Sequence, residues 1–162
     1  MENGTEIYRR ERGGSCVSLT IEADGEANCL CVAAEAGGFR GEGNLFVDGE
    51  DIDFYGGEID RMDKALSGAC RIKDAESGEY FLEVFFRKDT LAVRGVIGDY
   101  QNKLQFEFDA DQTLLRRLSA VVKKLKKEAD FSASSDVRAK GRTRCFIFIG
   151  ISGCKKRRIL PR

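Results

Sequence analysis

The sequence predicts the α+β class, with an antiparallel β-sheet of about seven strands, in the order βββ-α-ββββ-α, packed against two helices. Three observations carry this. Apolar residues recur at every second position in residues 16–47 and 69–109. They recur at steps of three or four in residues 50–66 and 111–130, and Gly- or Asp-bearing turns separate the runs. A chain of 162 residues, 42% of them hydrophobic, is long enough for one domain with its own core. That domain is expected over residues 1–130, with residues 131–162 as a basic, weakly ordered tail.

In the first β run, Val17, Leu19 and Ile21 alternate with small or polar residues, and Leu30 and Val32 resume the alternation after Asp24-Gly25. With Asp24-Gly25 as a two-residue turn, Val17 faces Val32 and Leu19 faces Leu30. Gly37-Gly38 ends the second strand, and "FRGEGNLFVD" reads as a third strand that its glycines should twist or bulge. The period then changes. Ile52, Tyr55, Ile59, Met62 and Leu66 form one apolar stripe, with Asp48 or Asp51 placed to cap its start and Gly68 its end. Gly56-Gly57 interrupts this helix at a cost of about 1 kcal/mol per glycine, which predicts a kink or a close backbone contact.

Four strands follow, each antiparallel to the last. "ACRIKD" leads through "AESGE" into "YFLEVFFRKDTLAVRGVIG", where Tyr80, Leu82, Val84 and Phe86 share a face with Leu91, Val93 and Ile97. Pairing Arg87 with Thr90 sets Glu83 opposite Arg94 on the other face. "KLQFEFDA" adds Leu104, Phe106 and Phe108 to the inner face. In the closing helix Asp111 caps a stripe of Leu114, Leu118, Val121, Val122 and Leu125, and lysines gather at the C-terminal end, as the helix dipole favours.

The zero net charge conceals a division. Residues 1–130 carry 18 Lys and Arg against 26 Asp and Glu, a balance of −8, and residues 131–162 carry 9 against 1. A body of that sign repels phosphate and suits a basic protein partner. "MENGTEIYRRERGG" has no apolar run after its charges, and the apolar stretch at residues 145–151 is far short of the roughly 20 residues that span a bilayer. A cytoplasmic protein without a membrane partner is expected, and its cysteines are read as small strand residues in a reducing compartment.

The chain contains no His, which removes the commonest general base and excludes a Ser-His or Cys-His pair. Cys29-Leu-Cys31 is one residue tighter than the usual metal-ligand spacing, so no metal site is expected. "GGFRGEG" has neither phosphate-binding glycine pattern. The carboxylates of "DGEDIDFYGGEIDRMD" fall mostly on the solvent side of the first helix. The expectation is a protein that is not an enzyme and uses no cofactor.

The strand start "GFRGEG", the helix "DIDFYGGEIDRM", the corner "LSGACRI", the hairpin "LEVFFRKDTLAVRGVIG" and the segment "LQFEFDADQTLLRRL" together resemble small bacterial domains that look like immunity proteins of polymorphic or contact-dependent toxin systems. The resemblance covers residues 39–125 and rests on packing signatures. It implies a sheet-plus-helix scaffold that binds and blocks a cognate protein toxin, with no catalytic residue to transfer. A basic nuclease would suit the acidic body, and the acidic face of the first helix, Glu50, Asp51, Asp53, Glu58, Asp60 and Asp63, is the candidate partner surface. The alternative is a nucleic-acid-associated protein that uses "CKKRR" and "GRTR" of the tail as a basic arm.

Overall fold

In the computed structural model, which describes residues 4–135, the chain is an α+β fold of two successive ββββα units. The first holds β1 (Thr5–Arg12), β2 (Ser15–Asp24), β3 (Cys29–Ala36), β4 (Phe39–Phe46) and α1 (Ile52–Ala65). The second holds β5 (Ala69–Lys73), β6 (Phe81–Arg87), β7 (Thr90–Gly98), β8 (Lys103–Ala110) and α2 (Thr113–Ser135). Each set of four strands forms its own antiparallel sheet in chain order.

The strand the sequence pattern does not reveal is β1. Its register against β2 slips between Glu6 and Tyr8, and this bulge turns the consecutive residues Ile7 and Tyr8 both into the core. The alternation that marks a strand is thereby broken, and the charged remainder, Arg9 to Arg12, lies exposed along a sheet edge.

The β2–β3 register also differs from the one a two-residue turn would set. Residues 25–28 form the loop, so Val17 pairs with Ala36, Leu19 with Ala34 and Ile21 with Val32. The slip is an even number of residues, which leaves the same side chains facing inward. A tertiary contact accompanies the longer loop. Gly25 lies against α2, its N–H donating to Glu128 Oε2 at 3.1 Å, and a Cβ on Gly25 would fall 2.0 Å from that of Glu128.

The glycines of β4 open no bulge, since its pairing with β3 is continuous from Cys29↔Phe46 to Ala36↔Phe39. They make room for the second sheet. A Cβ on Gly43 would lie 2.4 Å from the Gly98 backbone nitrogen, and one on Gly41 would lie 2.8 Å from Leu104 Cβ. At this crossing β4 meets β7 and β8, while α2 covers β1 and β2 and α1 packs on α2 and β5. Buried side chains of both units merge into one core, with Leu19, Leu45, Ile59, Met62, Ile97, Leu114, Leu115 and Leu118 fully enclosed.

The helices bury the expected stripes, with adjustments at their ends. Asp51 stands at the start of α1 without a side-chain cap, and Leu66, rather than a glycine, takes the left-handed position at its end (φ 53°). Leu66 is therefore half exposed rather than part of the stripe. Gly56 is buried against α2, but a Cβ there would meet Val122 at an ordinary 3.8 Å and one on Gly57 would meet nothing. The close contact expected at this pair is thus not required by the packing. Asp111 Oδ1 accepts the Thr113 N–H at 2.9 Å at the start of α2, which runs past the expected end at residue 130 to Ser135. The remaining basic tail, with "GRTR" and "CKKRR", lies outside the described residues.

Candidate functional site

The outer face of the second sheet carries a built cluster of charged and aromatic side chains. Successive pairings set Arg71 opposite Glu83, Glu83 opposite Arg94, and Arg94 opposite Glu107, so one row alternates in charge across all four strands. The next rows on this face contain Phe85 on one side and Phe81 with Gln105 on the other.

Glu83 is the pivot. It is only 8% exposed, and a single oxygen, Oε2, accepts from Arg71 Nη2 at 3.1 Å and from Arg94 Nε. Burial alone would raise its pKa, but the hydrogen bonds from Arg71 and Arg94 outweigh it and hold the carboxyl below its ordinary value. The guanidinium carbon of Arg71 lies 4.3 Å from the Phe81 ring centre, and those of Arg94 and Arg87 lie 4.8 and 5.6 Å from that of Phe85. Arg87 also pairs with Glu107. Between these groups lies an open depression of about 430 Å³ lined by Arg71, Phe81, Arg94, Gly95, Gln105, Phe106 and Glu107. Phe106 of β8 occupies the space a side chain at Gly95 would take, a Cβ there falling 2.8 Å from its Cζ.

Sequence periodicity reveals only the Glu83–Arg94 part of this row. Arg71 and Glu107 occupy outer positions of their strands, but aligning them requires the registers across the "AESGE" and "GDYQN" loops, which turn chemistry alone does not fix.

The acidic residues singled out on α1 are largely engaged within the chain. Asp53 pairs with Lys126, Asp60 with Lys123 at 2.6 Å and with Ser119 Oγ at 2.5 Å, and Asp63 with Arg116 at 3.2 Å. The partners run backwards along α2 as the acids advance along α1, so these pairs join two antiparallel helices. Glu58 pairs with Arg61 on its own helix at 2.7 Å. Glu50 and Asp51, at the start of α1, are exposed. Hydrogen bonds from Lys123, and then from Ser119, lower the pKa of Asp60, and that from Arg61 lowers the pKa of Glu58.

The arginine row can offer guanidinium and carboxylate groups to a polar or charged ligand group. Its buried carboxylate is held ionised by two guanidiniums, which suits a fixed charge better than a proton shuttle. Of the described cysteines, Cys29, Cys31 and Cys70 are buried and Cys16 is half buried. Its hydrogen bond with Cys31 and its burial push the Cys29 thiol up, and burial pushes that of Cys70 up to about 11, away from thiolate reactivity. Among the described residues no helix is long and apolar enough to cross a membrane.

Comparison of the chain with protein families, curated proteins and solved structures finds no match.

Proposed function

We propose that the protein is a non-enzymatic binding module of the immunity type, which neutralises a cognate toxin in the cytoplasm by direct complex formation. The observation that carries this reading is the Arg71–Glu83–Arg94–Glu107 row between Phe81 and Phe85. Arginine and aromatic residues dominate the energetics of protein interfaces, and here the arginines are already ordered by stacking and ion pairing. The acidic first unit adds long-range attraction for a basic partner such as a nuclease, while the sheet face of the second supplies the short-range contacts.

The experiment is affinity capture from the producing cell with the full chain as bait, followed by expression of each retained protein alone and together with this chain. The reading predicts a retained protein that arrests growth alone and is harmless when co-expressed. Retention of nucleic acid alone, or of proteins whose toxicity this chain leaves unchanged, would refute it and favour the basic-arm alternative or another binding role.

A further inference from the structure

We infer that the depression between Arg71 and Arg94 is a carboxylate-binding pocket that receives an aspartate or glutamate side chain of the protein partner. The inference rests on the reading of this sheet face as a partner-binding surface and specifies the chemistry of the contact.

Charge is the first argument. The face presents Arg71, Lys73, Arg87 and Arg94 against Glu83, Glu107 and Asp109, with Lys103 paired to Glu79 at its edge. Glu83 is shared by two guanidiniums, and Glu107 is engaged by Arg87. One positive charge is therefore left over beside the depression, within a body that is otherwise acidic. A single monoanion balances that surplus.

Donor geometry is the second. Arg71 gives Glu83 only its Nη2 hydrogen and Arg94 only its Nε hydrogen. The remaining guanidinium edges, including both Nη groups of Arg94, have no acceptor among the described residues. Such an edge presents two parallel N–H groups, the arrangement that a carboxylate accepts in bidentate fashion. Each guanidinium is held both by its hydrogen bond to Glu83 and by an aromatic ring, Phe81 at 4.3 Å from Arg71 and Phe85 at 4.8 Å from Arg94, so little further order is lost when an anion arrives. Gln105 on the rim adds an amide donor, and Phe81 gives an apolar wall for the methylenes of the incoming side chain.

Shape is the third. The depression is open to solvent, so a small free acid would stay largely exposed in it, whereas a side chain carried on a protein brings further surface that covers the site. Nucleic acid suits it less well, because a run of phosphates would extend over Glu107 and Asp109 and across a body of net charge −8.

The test uses the full chain, isotope-labelled at arginine, with side-chain N–H signals followed during titration. The probes are a capped pentapeptide with a central glutamate, the same peptide with glutamine in its place, and inorganic phosphate. The glutamate peptide should give saturating shifts at Arg71 and Arg94, and the glutamine peptide none. Affinity should fall about tenfold in Arg94→Lys, which keeps the charge beside Glu83 but loses the fork. Gln105→Ala, which removes an exposed rim residue without touching Glu83, should give a smaller loss and serves if Arg94→Lys does not fold. Absence of a saturating shift, equal response to the glutamine peptide, or preference for phosphate would each overturn the pocket. The two readings fail separately. A captured partner that binds wild type and Arg94→Lys equally removes the carboxylate pocket and leaves the binding function. Peptide shifts without any neutralised toxin remove the immunity reading.

Discussion

The two ββββα units share an element order and differ in what they show to solvent. Residues 1–68 carry 6 Lys and Arg against 15 Asp and Glu, and residues 69–130 carry 12 against 11, so the first unit is strongly acidic and the second nearly balanced. The outer face of the first sheet buries small residues, Ser18, Cys29, Cys31 and Ala33, and that of the second carries the stacked arginines. The helices differ in a complementary way, acidic α1 lying along basic α2. Inward-facing residues of both units build one shared core, so the repetition serves packing. On the proposed function, recognition falls to the second unit and long-range charge to the first.

If the core is shared, it cannot be unfolded by halves. Ile59→Ala in α1 and Leu115→Ala in α2 should each destabilise the protein by about 2–5 kcal/mol, since both side chains are fully buried. Both should move the same single transition, followed by far-UV circular dichroism in denaturant. Two transitions, only one of which responds to each variant, would divide the molecule into independent units.

The sheet crossing gives the next largest effect. Gly43→Ala places a methyl 2.4 Å from the Gly98 nitrogen, a backbone atom that cannot swing away. A loss of about 1–3 kcal/mol is expected from such overpacking. An unchanged denaturation midpoint would mean that β4 and β7 can part at this point without cost.

Acid should act on both units through lowered carboxyl pKa values. Asp60 joins the helices and Glu83 anchors the arginine row, and each is held below its ordinary value. A depressed folded-state pKa stabilises the protein above the unfolded carboxyl value of about 4. That contribution is lost as pH falls through the folded value. The thermal midpoint should therefore drop on acidification below about pH 4, and Asp60→Asn should make the drop shallower. An equally steep drop in that variant would mean that the Lys123 and Ser119 contacts contribute no net stability.

The smallest effect has the opposite sign. Gly57→Ala in α1 should raise stability by about 0.5–1 kcal/mol, because the added methyl meets no neighbour. Destabilisation instead would show that this glycine serves a backbone contact within the fold.

How much of this could be read in advance divides along the same line. The second sheet was legible, since Leu82, Val84, Leu91 and Val93 alternate cleanly and the Arg87–Thr90 turn fixes the register that sets Glu83 against Arg94. In the first sheet a bulge at Ile7 hid a whole strand, and the contact between Gly25 and Glu128, distant in sequence, accompanies a hairpin slipped by four residues, from Val17↔Val32 to Val17↔Ala36. The acidic face of α1 was legible as composition, but its pairing with Lys123, Lys126 and Arg116 depends on how two helices meet. The arginine row was legible only in part, because it needs three registers at once.

The proposed function places recognition on the sheet face of the second unit. The most direct measurement is the affinity of the captured partner for three full-length proteins: wild type, Arg94→Lys, and the double variant Glu50→Lys/Asp51→Lys. About a tenfold loss is expected for Arg94→Lys and, for the double variant, a change confined to the association rate and its salt dependence. Full affinity in Arg94→Lys together with loss in the double variant would contradict that placement and return the binding site to the start of α1.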